Sequence, residues 1–349
     1  TEDTDDDNDG LDDEIDDCAT GSIGWISSAG TDHDGDGCRD ATEDTDDDND
    51  GVSDDVDCND NDASIYPGAT ETLDDGTDQD CNGADAIRCS GDLVYEEAEH
   101  CVTITGSLTI DSTSSTALSL LHTLESVDGD LIITSNESLT SVDIPNLREI
   151  GGGFELNGNR EVTRLQLDAL ERVDDRLYLG GSNLLTSLSF ASLSYVGGDL
   201  FFSGSGVTSF SMDSLEEVGG TIYMMSMDVI TFSMINLHTV GEGLYIDWNE
   251  NLTSFVFPSL RHIGGTLEVL RNTVLISFSL PVIESVEAIS IRWMSNFESF
   301  SLGATPPEMA WYALNTLPAV CDDFANNFSD WLAAYGWSGS PSTWRIAEA

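Results

Sequence analysis

From about residue 87 onward the apolar positions recur with two superposed periods. The longer one is carried by the motif L-x-x-V/I-G-G, which begins at Leu124, Leu147, Leu170, Leu193, Leu215, Leu237, Leu260 and Ile283, always 22 or 23 residues apart. One step earlier, Gly106-x-Leu108-x-Ile110 matches Gly129-x-Leu131-x-Ile133. The shorter period is two. One strand repeats Leu131/Ile133, Phe154/Leu156, Leu177/Leu179, Leu200/Phe202, Ile222/Met224, Leu244/Ile246 and Leu267/Val269, and a second runs from Val142/Ile144 to Phe300/Leu302. A fixed period in the twenties with two-residue alternation predicts a mainly β chain, a right-handed β-helix or solenoid whose coils stack about 4.8 Å apart.

The same pattern assigns the remaining positions. Gly151-Gly152, Gly197-Gly198, Gly219-Gly220 and Gly264-Gly265 are expected to turn one corner by adopting φ > 0. Asn136, Asn159, Asn249 and Asn272 share another register, where a ladder of amides would satisfy buried backbone groups. Residues between the core positions point outward. In the first strand these are Ile132, Glu155, Tyr178, Phe201, Tyr223, Tyr245, Glu268 and Ser290. Four aromatics on adjacent coils are much apolar surface to leave in water. Tyr178, Phe201, Tyr223 and Tyr245, with Trp248 beside them, are therefore the candidate partner-binding face. The bland alternative is a ladder covered by the protein itself.

Residues 1–86 follow neither period. They carry 32 carboxylates against Arg39 alone, within a chain of net charge −55 that contains no lysine. Such a chain repels phosphate and anionic lipid, so no nucleic-acid partner is expected. No apolar run is long enough to span a bilayer. No secretion leader is visible, so a processed or trimmed product is expected. The acidic residues are ordered, not merely abundant. TEDTDDDNDG occurs at 1–10 and again at 42–51. The pattern D-x-D-x-D-G-x-x-D-x-x-D/E is met by Asp5, Asp7, Asp9, Asp13 and Asp16; by Asp32, Asp34, Asp36, Asp40 and Glu43; and by Asp46, Asp48, Asp50, Asp54 and Asp57. Alternate carboxylates with a turn-permitting Gly provide the six to eight oxygens a hard cation needs, so calcium is the expected cofactor.

These repeats resemble thrombospondin type 3 repeats, which implies a calcium-wrapped arm over 1–56. Residues 57–86 are similar to the putative metal-binding motif of bacterial surface proteins, on Asp57-Cys58-Asn59-Asp60-Asn61-Asp62, Tyr66-Pro67-Gly68 and Asp75 to Gly83. That likeness implies a fourth site from Asp60, Asp62, Asp75, Asp78 and Asp80. It also implies a Cys58–Cys81 disulfide and, by the same logic, Cys18–Cys38. Residues 87–303, with blocks such as Leu237 to Ser254, resemble the receptor L domain, a leucine-rich β-helix. Here Cys89 and Cys101 look like the disulfide that caps its first coil. The end of the chain, 304–349, resembles a C-terminal cap of bacterial relatives. A helical stripe of Val320, Phe324, Phe328, Trp331 and Leu332 is expected there, with Cys321 left as the odd thiol.

With six of its seven Cys within the first 101 residues, which suggests disulfides, the chain is expected outside the cell, secreted or at a cell surface. The leading expectation is a calcium-stabilised adhesion or recognition protein that binds a protein or glycan through the β-helix sheet. The second is a structural subunit that self-assembles into a fibre or layer through calcium loops and solenoid ends. A carbohydrate-active β-helix enzyme is the third and weakest. The five His are scattered, the outward Ser rows lack a partnering base, and no enzyme is expected.

Overall fold

The computed structural model describes residues 4–302, together with the backbones of strands Trp311–Asn315 and Trp344–Ile346. The expected C-terminal helical stripe and Cys321 lie outside the described residues. The chain forms two compact units, 1–87 and 88–349.

The second unit is a parallel β-solenoid of about nine turns, with coils of 22–23 residues. Three strands build each coil. A two-residue strand such as Glu149–Ile150 leads through the Gly pair into a four-residue strand such as Phe154–Asn157, and a corner follows before Arg164–Gln166. The first of these was not anticipated; its single core residue, for example Ile150 or Val173, gives too short a run to show a period. In the eighth and ninth coils it merges with its neighbour into His262–Leu270 and Ser285–Arg292. The core is continuous from Tyr95 to Leu302. On the third-strand side a stack of rings runs through Phe210, Phe232, Phe255, Phe278 and Phe300, with centroids 4.9–5.9 Å apart. At the start, Cys89 is bonded to Cys101, and the hydroxyl of buried Tyr95 donates to the Ala117 carbonyl. Pairing continues past the expected boundary at 303, since Trp311–Asn315 and Trp344–Ile346 extend the main sheet.

The Gly pairs turn out to be small for a different reason than expected. None of Gly151, Gly197, Gly219 or Gly264 has a left-handed φ. A Cβ on each would instead meet the carbonyl oxygen of the coil before it, at 2.4 Å from Asp128, 2.1 Å from Asp174, 2.2 Å from Gly197 and 1.9 Å from Gly241. The corner is a backbone-on-backbone stack, and that closeness excludes a side chain. The opposite corner takes the positive φ instead, and does so in every coil from Ser112 to Trp293.

The Asn register does what its position suggests. Asn136 and Asn159 are fully buried; the Asn159 side-chain oxygen accepts from the Asn136 amide, while its Nδ2 donates to the Ile133 carbonyl. Asn249 and Asn272 repeat the arrangement two-thirds of the way along. Each amide thus closes backbone groups that the corner would otherwise leave unpaired in the core.

The first unit is built from other material. Its described residues up to 86 form turns and bends with no helix or strand. Among its few buried apolar residues are Trp25, Cys38, Ala69 and Ala86. Disulfides join Cys18 to Cys38 and Cys58 to Cys81, with Cα atoms 5.0 and 6.3 Å apart.

Candidate metal centres and recognition face

The three acidic repeats share one local geometry, bond for bond. The amide of Asp13 donates to the Thr4 carbonyl, as Asp40 does to Thr31 and Asp54 to Thr45. In turn, Asp13, Asp40 and Asp54 each accept from an early amide of their loop: Asp6, His33 and Asp47. The fourth position is left-handed, filled by Asn8, Gly35 and Asn49, and so is the sixth, filled by Gly10, Gly37 and Gly51. Asn and Gly are the residues that accept this conformation cheaply. Each loop closes because its sequence places turn formers there.

Closure gathers the alternating carboxylates. Oxygens of Asp5, Asp7 and Asp9 lie within 4.8 Å of one another, as do those of Asp32, Asp34 and Asp36, and of Asp46, Asp48 and Asp50. In each triad one oxygen of the last Asp is held by the amide two residues on: Leu11, Cys38 and Val52. In the first and third triads the other is left over. Oδ2 of Asp7, Asp9, Asp48 and Asp50 is buried with no hydrogen-bond donor. Asp9 is fully buried, Asp7 and Asp32 nearly so. Clustered anionic oxygens without a donor are unfavourable, and their grouping suggests a metal ion.

The outer acids arrange themselves less simply than the repeat predicts. Asp16, itself buried with an unpartnered Oδ2, completes the first triad; burial, then the charges of Asp7, Asp9 and Asp13, push its carboxyl above the ordinary range. Asp57 bears in the same way on Asp48 of the third triad, after burial and Asp50. For the second triad the expected Glu43 is replaced by Asp44, whose charge helps raise Asp34 and Asp36. The Glu43 carboxylate lies against Gly21 instead, too near for a Cβ there. Asp44 also joins Asp40 and Asp47 in a further cluster; burial and the charges of Asp54, Asp40, Asp44 and Asp60 push Asp47 up to about 6. Neither Asp44 nor Asp47 stands in the D-x-D-x-D register, which is why the pattern alone passes over them.

The fourth expected loop is largely satisfied from within. Asp62 accepts from Ser64, Asp75 from Thr77 and Gln79, Asp78 from Asn82 and Gly83, and Asp80 from Asn82. Asp60 adds its charge to the surroundings of Asp47. Glu71, absent from the expected ligands, ties Asp80 to Ala86 by accepting both amides. Asp57 is also brought beside the Cys58–Cys81 disulfide.

On the solenoid, parallel register stacks Tyr178 on Phe201, Tyr223 and Tyr245. Their rings form one continuous ladder, with centroids 4.7, 5.6 and 5.1 Å apart. All four are half-buried, each shielding the next, and Trp248 beside them is 42% exposed. Beyond the ladder the outward row becomes polar. Arg292 pairs with Glu268 at 2.7 Å and donates to Ser290. Next to this pair, Asp247 is only 5% exposed, and its Oδ1 has no donor. Burial, then the neighbouring Glu268, push its carboxyl up to about 7. Its only sequence signal was its outward place two residues after Tyr245.

Two stretches of the chain match family models. Residues 57–86 match the family described as "Putative metal-binding motif". Residues 100–181, the early coils of the solenoid, match the receptor L domain. Neither a curated protein nor a solved structure matches the chain.

Proposed function

We propose that this chain is an extracellular recognition protein, not an enzyme, whose arm is ordered by calcium and whose solenoid face binds a protein or glycan on a neighbouring surface. The half-exposed ladder from Tyr178 to Tyr245 carries the recognition reading. Rigid stacked aromatics offer large contact area at little entropic cost, the usual makeup of binding hot spots. Three disulfides support an oxidising, extracellular setting, and no described helix is long and apolar enough to cross a membrane.

The donor set favours calcium over softer metals. The triads offer only oxygens, residues 57–86 contain no His, and both Cys of that segment are oxidised. Asp5, Asp7 and Asp9 with Asp16 would hold one ion; Asp32, Asp34 and Asp36 with Asp44 a second; Asp46, Asp48 and Asp50 with Asp57 a third. The loops would then behave as thrombospondin type 3-like repeats, and the bound ion supplies positive charge that the segment lacks.

The test is an array of extracellular proteins and glycans, probed in calcium buffer. Replacing both Tyr223 and Tyr245 by Ser is expected to weaken the specific signal at least about tenfold. A signal indifferent to that double substitution contradicts the reading.

A further inference from the structure

The coils that carry the aromatic ladder differ from the others at the next corner. Following the fourth residue of the strand, the left-handed position is Gly158, Gly181, Gly204 and Ser226 on successive coils, and then Trp248. The residues just before them are Asn157, Gly180, Ser203 and Met225, and then Asp247. A strip of small residues, broken by Met225, therefore runs along the solenoid beside the rings of Phe201, Tyr223 and Tyr245. It is closed at both ends. At one end the Tyr178 ring lies across Gly180, so near that a Cβ there would sit 2.7 Å from its hydroxyl. At the other stands Trp248. Three coil steps separate them, about 14 Å at the usual strand spacing.

Inside the same coils the Asn ladder lapses. Its register is occupied by Ser182, Ser205 and Met227, and these line a small cavity that also touches Gly180 and Ser203 from beneath. Wall, floor and interior thus change together over one stretch.

The Trp248 end is built at a cost. Its φ is +58°, a conformation that bulky residues rarely adopt and that Gly or Ser fills in the coils before it. One face of its indole is occupied, with the Arg271 guanidinium 4.1 Å away and clamped on its other side by Trp293 at 4.5 Å. That sandwich fixes the indole upright. On the preceding coil the equivalent position is Ser226. Immediately before Trp248 in the chain sits Asp247, 95% buried, with an oxygen that accepts nothing. The adjacent cation, Arg292, is already engaged by Glu268 and Ser290.

A ligand for this strip must be flat enough to lie against rings, apolar on one face and able to donate a hydroxyl at its edge. A saccharide ring has all three properties: C–H groups for the aromatic face and O–H for the carboxylate. The strongly acidic chain disfavours an anionic sugar. We infer that the strip between Tyr178 and Trp248 is a binding site for a neutral oligosaccharide, with one sugar stacked on Trp248 and, once the Asp247 side chain turns outward, donating a hydroxyl to it. This inference rests on the proposal that the sheet face is a recognition surface, and narrows it to one ligand class.

Calorimetric titration of the full chain in calcium buffer with cellohexaose, laminarihexaose, mannohexaose and N-acetylchitohexaose tests it. At least one is expected to bind with micromolar to millimolar affinity. Trp248→Gly keeps the left-handed backbone, and Asp247→Ala removes the carboxyl whose Oδ1 has no donor; each is expected to weaken that binding about tenfold or more. Arg148→Ala, on an earlier coil, should leave it unchanged. The site is overturned if none of the four binds at millimolar concentration, or if binding survives Trp248→Gly. The two readings separate cleanly. Array binding that is lost in the Tyr223/Tyr245 double variant, with no response to any of the four sugars, keeps the recognition face and removes the saccharide site. Loss of neither signal's partner surface, that is, array binding indifferent to the double variant, removes the face as well.

Discussion

The arm and the solenoid bury opposite kinds of side chain, and each answers the same demand by a different route. Ordering a backbone costs on the order of 1–2 kcal/mol per residue, which something must offset. In the solenoid the offset is internal. Leu, Ile, Val and Phe repeat on every coil, and the Asn ladders close the polar groups that the corners expose. In the arm the residues taken out of water include Asp7, Asp9, Asp16, Asp32 and Asp48, all of one sign. Their backbone bonds shape the loops, and oxygens of Asp7, Asp9, Asp16 and Asp48 are left without donors. One unit therefore carries its own stabilisation, whereas the acidic clusters of the other suggest a metal, on which we propose that it depends.

The largest effect that would sharpen this contrast is a truncation in the solenoid core. Leu244 is fully buried, and Leu244→Ala should cost about 2–5 kcal/mol in chemical denaturation of the solenoid. Calcium affinity of the arm should be unchanged. A parallel loss of both would merge the two units into one cooperative body and break the comparison.

A smaller effect is expected from the polar spine. Asn159→Ala removes acceptors and donors for Asn136 and Ile133, leaving buried groups unpaired at about 1–3 kcal/mol. Asn159→Asp, of similar shape, should be worse at neutral pH than at pH 4, because it places an unpaired charge in the core. Equal unfolding midpoints for wild type and Asn159→Ala would show that the ladder is ornamental to stability.

The smallest effect is one of pH, and it has opposite signs in the two units. Asp247 has its folded carboxyl raised from 3.8 to about 7 by burial first and Glu268 second. Its neutral form is the one the fold prefers. The stability it contributes is fully present below pH 4 and is lost as pH rises through about 7. Between pH 6 and pH 8 the solenoid should therefore weaken by about 1–2 kcal/mol, and Asp247→Asn should flatten that dependence. The calcium-loaded arm should move the other way, since its ligands must be deprotonated to bind and calcium is released on acidification. Thermal melts of the wild type and Asp247→Asn at three pH values, with calcium present, read both slopes.

Much of this was legible in the chain. The 22–23-residue period fixes the coil, and two-residue alternation separates Tyr178 and Tyr245 from the core. The D-x-D-x-D-G spacing finds all three triads, because a loop that short brings its own ligands together. What escaped the sequence depends on contacts between coils or between loops. The Gly pairs look like turn formers, but their reason is a carbonyl one coil away. The role of Asp44 comes from a neighbouring loop, where it faces Asp34 and Asp36. Asp247 is one acid among 66 until register sets it beside Glu268 and burial removes its solvent.

The central claim is that cation binding is folding free energy for the arm and not for the solenoid. Amide hydrogen exchange of the whole chain, followed by mass spectrometry with calcium, with EDTA and with magnesium replacing calcium, measures both units in one sample. The account predicts that EDTA collapses protection of the loop amides that close each repeat, such as Asp13, Asp40 and Asp54, while residues 102–302 keep theirs. Magnesium should restore little, because it holds a rigid six-oxygen shell and sheds water reluctantly. Arm amides as well protected in EDTA as in calcium would contradict it.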